Sequence, residues 1–391
     1  MFLTKERIRL YLGGLLLLQI LLCVRLYPFA REGKSDFRTF YTAGHMLRTG
    51  DPLYNYQAEL SAQSALVSPN LYALPFMSPP FTALLFVPLS LGSYWSGYLL
   101  FFALNLCFAA LAASILRPHL GSLHARWRPL TLLLFLSFMP LGIALTLGQL
   151  SIILLFLYCA TFAAIQSEKP FLAGIFLSLA LIKFQIALPV ALLFLLWRQW
   201  QFIAGFLTGA SVLTLISVLI TGPTAFATYL RSLLFMSHAS SSAAGDSRYG
   251  IFPEQMPNLY GLVHTISHGA TWGLTLTILC SLVVILWAAT RKPSLPLALL
   301  AGLLVSYHLY LYDLTLLLLP ISLVFNRNTE SAQPGREKAA LYASLFFVLA
   351  SLWGSAIRFD YHYLVAIPVA ILFASFSTST PQPSAWHPAP Q

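Results

Sequence analysis

The residues able to do chemistry in this chain are few, and they sit at the edges of long apolar runs. Asp36 follows the first run closely, in Ser35-Asp36-Phe37-Arg38-Thr39-Phe40-Tyr41. A carboxylate so placed can take a proton from a hydroxyl held at a membrane surface, or it can cap a helix, a position Asp favours. Lys183 ends one apolar run and begins the next. A charge at that depth is costly, so its ammonium either neutralises a phosphate or snorkels to the interface. His308 and Asp313 flank a break that carries Tyr310 and Tyr312. Read from the residues alone, that cluster matches an aromatic belt followed by a capping Asp. Gln149, in another short break, can hydrogen-bond a sugar or satisfy helix ends.

No His/Asp pair repeats at ligand spacing, so no metal site is expected. Neither GxGxxG nor a P-loop is present, so no nucleotide cofactor is expected. Cys23, Cys107, Cys159 and Cys280 all lie within apolar runs, where a thiol behaves as a small buried hydrophobe.

The elements that position these groups belong in lipid. Hydrophobic residues make up 58% of the 391 and charged residues only 9%, against roughly 25% charged in an average soluble domain. Mean hydropathy is +0.77. Apolar runs predict spans near 10 to 30, 94 to 116, 129 to 146, 149 to 166, 170 to 182, 184 to 197, 201 to 221, 271 to 290, 295 to 308, 313 to 326, 340 to 357 and 362 to 377. The expected fold is all-α, a polytopic membrane bundle of about 12 helices. Lys5, Arg7 and Arg9 ahead of Leu10 to Val24 read as the flank of an uncleaved first helix rather than a signal peptide.

A net charge of +10 does not indicate nucleic acid, because the basic residues are scattered between runs. They follow topology instead. With the N-terminus cytoplasmic, the inner side collects Lys5, Arg7, Arg9, Arg117, Arg126, Arg128, Lys169, Arg198, Arg291, Lys292, Arg327, Arg336 and Lys338. The outer side holds only Arg31, Lys34, Arg38, Arg48, Arg231, Arg248 and Arg358. This threading makes Phe81 to Leu91 a re-entrant or interfacial segment. It also puts segments 31–80 and 222–270 outside, the first as short juxtamembrane helices and the second as a mobile loop. A single transmembrane domain then covers 1–377, with a disordered cytoplasmic tail at 378–391 rich in Pro and Ser.

Several strings resemble one family. They are Asp36-Phe37-Arg38-Thr39-Phe40-Tyr41-Thr42-Ala43-Gly44, Gly50-Asp51-Pro52-Leu53-Tyr54, Pro79-Pro80, Gly148-Gln149-Leu150-Ser151, Leu181-Ile182-Lys183-Phe184-Gln185 and His308-Leu309-Tyr310-Leu311-Tyr312-Asp313-Leu314. In that order they resemble family 87 of the glycosyltransferases, polyprenol-phosphate-mannose-dependent enzymes of the membrane-embedded GT-C class. Ser151 stands where the family often has Asn, and Phe184 where it often has Pro. The resemblance implies that Asp36 is the general base, that Lys183 and His308 bind the donor phosphate, and that Tyr41, Gln149, Tyr312 and Asp313 contact substrate. It further implies a polyprenyl-phosphate sugar donor, a glycolipid or glycan acceptor, an inverting transfer, and a site facing outward from the cytoplasmic membrane.

Two other classes compete. A secondary transporter would also show many spans, but its charges gather near the midplane, often in two related halves. Here the candidates sit at one face, and no half-repeat is visible. A non-catalytic scaffold would have no use for an outer aspartate beside basic residues.

Overall fold

The computed structural model describes residues 5–69, 74–126, 129–239, 252–330, 336–349 and 359–378, and among these the chain is helical with no strand. The helices begin with α1 (Lys5–Arg31), α2 (Phe37–Thr49), α3 (Tyr56–Leu66), α4 (Pro80–Leu84), α5 (Tyr94–Leu116) and α6 (Gly121–Arg126). Next come α7 (Leu130–Leu136), α8 (Met139–Leu147), α9 (Ser151–Gln166), α10 (Pro170–Leu179), α11 (Phe184–Leu196) and α12 (Trp200–Ala239). The last are α13 (Leu259–Ile266), α14 (Thr271–Ala289), α15 (Leu295–Val305), α16 (Leu318–Glu330), α17 (Arg336–Leu349) and α18 (Ala366–Thr378).

Among the described residues, five stretches are long and apolar enough to cross a membrane: Arg9–Arg31, Tyr94–His119, Pro170–Leu196, Trp200–Leu233 and Thr271–Ala289. A sixth is added if α7 and α8, bent by 56°, form one broken span. Leu17, Leu21 and Val24 of α1 and Ile278, Leu282 and Val283 of α14 are exposed, as side chains facing hydrocarbon are. Other apolar runs among the twelve expected spans form shorter helices sealed inside the bundle. α9 has 16 residues, a length of about 24 Å at ~1.5 Å per residue, against a hydrocarbon core of ~30 Å. Its Ile152, Leu154, Leu155, Tyr158 and Cys159 are buried, as is every residue of α15 from Leu295 to Leu304. Protein rather than lipid surrounds these two helices, so bilayer thickness does not dictate their length.

Pro170–Leu196 meets the length test as one span, but its contacts show two arms. Gly174 lies against the Phe202 backbone, while the Phe194 ring stacks on the Phe202 ring at 3.9 Å. A straight helix would hold Gly174 and Phe194 about 30 Å apart. α10 and α11 therefore fold back on each other at the 3-10 turn Ala180–Lys183, where Lys183 leaves helical geometry at φ −122°, ψ 72°. The small residues Gly174 and Ser178 of α10 meet Gly205 and Gly209 of α12, close enough that a Cβ on any of these glycines would strike the partner helix. Backbones in lipid approach this closely through small residues four apart.

Segment 31–80 forms short helices, as its sequence suggests, and part of segment 222–270 is helical as well. Segment 31–80 contains α2 and α3, and Phe81 to Leu91 forms only α4 and the 3-10 turn Pro88–Ser90, too short to span. Phe81 N–H donates to Ser217 Oγ of α12 at 3.3 Å. Within segment 222–270, expected as a mobile loop, α12 breaks at Gly222 (φ 79°, ψ 160°) and resumes to Ala239, and α13 follows, while residues 240–251 lie outside the described residues. The Ser-rich stretch beyond Ala239, the end of the span expected at 340–357, and the tail from 379 lie outside the described residues.

Candidate active site

Asp36 is placed by its neighbour. Phe37 is fully buried among the rings of Phe86, Tyr94, Tyr98 and Phe101, with centroids 5.4 to 6.2 Å away. The preceding turn is tied to α5, where Tyr94 OH donates to Ala30 O at 3.2 Å and lies 2.8 Å from Ser35 Oγ. Asp36 occupies the N-cap position of α2, yet its carboxylate accepts no helix N–H. It accepts instead from Gln149 Nε2, at 2.7 Å. Burial raises the Asp36 pKa, with Asp313 adding to the rise; the Gln149 bond and the charges of Lys183 and Arg38 oppose it.

Gln149 reaches Asp36 because the α8–α9 turn presses against α2. Gly148 is left-handed (φ +65°), and a Cβ there would stand 2.5 Å from Phe37 Cβ. Only glycine satisfies both demands. Gln149 is 6% exposed, and its Oε1 is buried with no hydrogen-bond partner.

The break between α10 and α11 delivers Lys183, 8% exposed. Its Nζ pairs with Asp313 Oδ1, lies 3.4 Å from Ser151 Oγ and stands 4.5 Å from the Tyr312 ring centroid. Ser151 Oγ donates to the same carboxylate oxygen at 2.6 Å. Asp313 Oδ2 accepts from Tyr310 N–H at 3.3 Å, so this buried carboxylate also braces the turn of its own 3-10 segment, Leu311–Leu317. An ammonium has three donors; two serve Asp313 and Ser151, and Lys183 lines the cavity described below.

His308 packs edge-on against Tyr310 at 5.0 Å. Burial lowers its pKa to about 4, with Lys183 acting in the same direction and Asp313 against it. The ring is thus neutral at neutral pH, and its Nδ1 is buried with no hydrogen-bond partner. It offers a hydrogen bond rather than a positive charge.

Asp36, Gln149, Lys183, His308 and Tyr312 line one cavity of about 840 Å³. Two expected substrate contacts do not reach it. Tyr41 OH donates to Gly92 O at 2.7 Å, because α2 turns that ring toward Tyr94 and α5. Asp313 is fully buried behind Lys183, so it acts on the cavity through the ion pair. Among the described residues, no three His, Cys, Asp or Glu side chains gather as a metal site.

Part of the cavity wall was not foreseen. Leu74, Pro75, Met77 and Ser78 line it in an extended segment. α3 clamps that segment through side chains. Glu59 accepts from Phe76 N–H at 2.9 Å and Tyr54 N–H at 3.1 Å, while Gln63 bonds both backbone groups of Leu74 at 2.8 and 3.1 Å. The available signal was a Glu and a Gln spaced i, i+4, which places both on one helix face. Tyr310, Tyr307 and Gln185 also line the cavity.

No curated protein and no solved structure matches the chain. The profile of glycosyltransferase family 87 matches residues 76–320, well over half of the chain. That stretch carries Gln149, Lys183, His308, Tyr312 and Asp313, while Asp36 and Tyr41 precede it. An all-helical bundle with several membrane-length helices accompanies that match, and the chain belongs to glycosyltransferase family 87, as a membrane glycosyltransferase.

Proposed function

We propose that the protein is a GT-C-type hexosyltransferase of the cytoplasmic membrane, with about twelve membrane-embedded helical segments and its cavity open to the outer side. It moves a hexose, mannose by the family resemblance, from a polyprenyl phosphate to a glycolipid or glycan acceptor. The observation that carries this reading is the convergence of Asp36, Lys183 and His308 on one cavity from three distant parts of the chain. Positioning and charge stabilisation are the main demands of such a displacement, because the phosphate is already a leaving group.

In the proposed step the acceptor hydroxyl gives its proton to Asp36 as its oxygen bonds the anomeric carbon. The bond from that carbon to the phosphate oxygen breaks, and polyprenyl phosphate leaves with the electron pair. One direct displacement inverts the anomeric centre. Lys183 meets the phosphate with its remaining donor, and neutral His308 hydrogen-bonds the phosphate or a sugar hydroxyl. The step as written uses no cofactor. Membranes containing the chain, incubated with a panel of radiolabelled polyprenyl-phosphate hexoses, should move label from the carrier to acceptor. Label that stays on every carrier overturns the reading.

A further inference from the structure

We propose that Gln149 is the positioning residue for Asp36: Nε2 fixes one carboxylate oxygen and leaves the other without a protein hydrogen bond, ready for the acceptor's proton. This rests on the transferase reading. An Asp at a helix N-cap ordinarily has extended backbone and turns its carboxylate onto the helix N–H groups. Asp36 has φ −65°, ψ −20° and makes no such bond. Its carboxylate is directed away from α2, and the 2.7 Å bond from Gln149 is the hydrogen bond it makes among the described residues.

Gln149 is itself held rigidly. Its backbone N–H donates to Ala144 O at 2.8 Å, and the left-handed Gly148 locks the turn against Phe37. The relation between the amide and the carboxylate is therefore set by the packing of α2 against the α8–α9 turn. The Gln149 Oε1 is buried and makes no competing hydrogen bond, so the Nε2 bond to Asp36 is the one that orients the amide.

The groups that act electrostatically on Asp36 are Arg38 on α2, Tyr94 on α5, Lys183 at the α10–α11 turn, and Tyr312 and Asp313 in the 3-10 segment. None of them hydrogen-bonds it. Gln149 alone combines geometric control with control of ionisation, since its bond favours the charged carboxylate that burial disfavours.

The test uses the purified full chain with Gln149→Met, which preserves side-chain length, and Gln149→Ala. The infrared carbonyl band of protonated Asp36, identified by its absence in Asp36→Asn, is titrated in each protein. Losing the bond should move the midpoint to higher pH by about half a unit or more. With whichever labelled hexose carrier is used, the acidic limb of kcat/KM should move the same way. We expect kcat to fall about tenfold with donor KM within about twofold, as for a misaligned base. A wild-type midpoint in both variants overturns the proposal, whatever the activity. Label that stays on every carrier with the wild-type protein would overturn the transferase reading instead, wild-type transfer by Asp36→Asn would remove Asp36 as base, and in either case the titration would still decide whether Gln149 controls that carboxylate.

Discussion

Lys183 and Asp313 illustrate how a charged pair can be both costly and useful inside a membrane bundle. Removing one partner of a buried pair leaves the other without its counter-charge, at a cost of about 3 kcal/mol or more. Asp313→Asn should therefore lower stability in denaturant titrations by about that amount and also abolish transfer, since Lys183 loses its anchor. The double change Lys183→Met with Asp313→Leu should recover much of the stability but none of the activity. Recovered activity would show that the ammonium is not needed. Tyr41 makes the opposite case. Its hydroxyl faces Gly92 O, away from the cavity, so Tyr41→Phe should cost about 1 kcal/mol of stability and leave transfer kinetics unchanged. The motif around Asp36 is visible in the sequence, yet the direction of a tyrosine hydroxyl is not. That direction depends on helix rotation against α5, which no local pattern encodes.

The helices set these residues through two close approaches, each with its own consequence. Gly148→Ala combines a disfavoured positive φ with a collision against Phe37. It should cost about 2 kcal/mol or more and reduce kcat by displacing Gln149 and Asp36 together. Normal kcat in a destabilised variant would separate the turn from the site. The α3 clamp predicts a pH effect. Burial raises Glu59 from 4.5 to about 7, against two N–H bonds that favour its charge. Between those values the folded state holds a proton that the unfolded chain has released. The contribution of Glu59 to stability is thus complete below pH 4.5 and lost as pH rises through about 7. Unfolding midpoints measured from pH 4.5 to 7 should show this slope, and Glu59→Gln should remove it; an unchanged slope in the variant would exclude Glu59 as its source. The sequence revealed α5 and α14 almost to the residue, because long uninterrupted apolar runs permit little else. The hold of α3 on Leu74 and Phe76 was hidden, since a side chain bonding distant backbone leaves no periodicity.

Across the molecule, the apolar runs were legible as helices, while their surroundings were not. Runs such as α9 and α15 look like short spans in sequence, and only the surrounding helices show that they are sealed in protein. Residues meeting in the cavity come from ends of helices far apart in the chain, and charge asymmetry predicts a common outer face for those ends. Reporter fusions after Ser64 and Thr329 should give opposite-side signals; same-side signals would contradict the threading. The central claim is that this shared cavity performs hexosyl transfer with Asp36 as base. Its most direct measurement compares label transfer by wild type and Asp36→Asn at matched folded amounts in liposomes, with the carrier that wild type uses. Transfer should be lost in Asp36→Asn while the protein stays folded, its stability falling by no more than about 3 kcal/mol as the buried bond to Gln149 is disturbed. Transfer at the wild-type rate by Asp36→Asn would contradict the account.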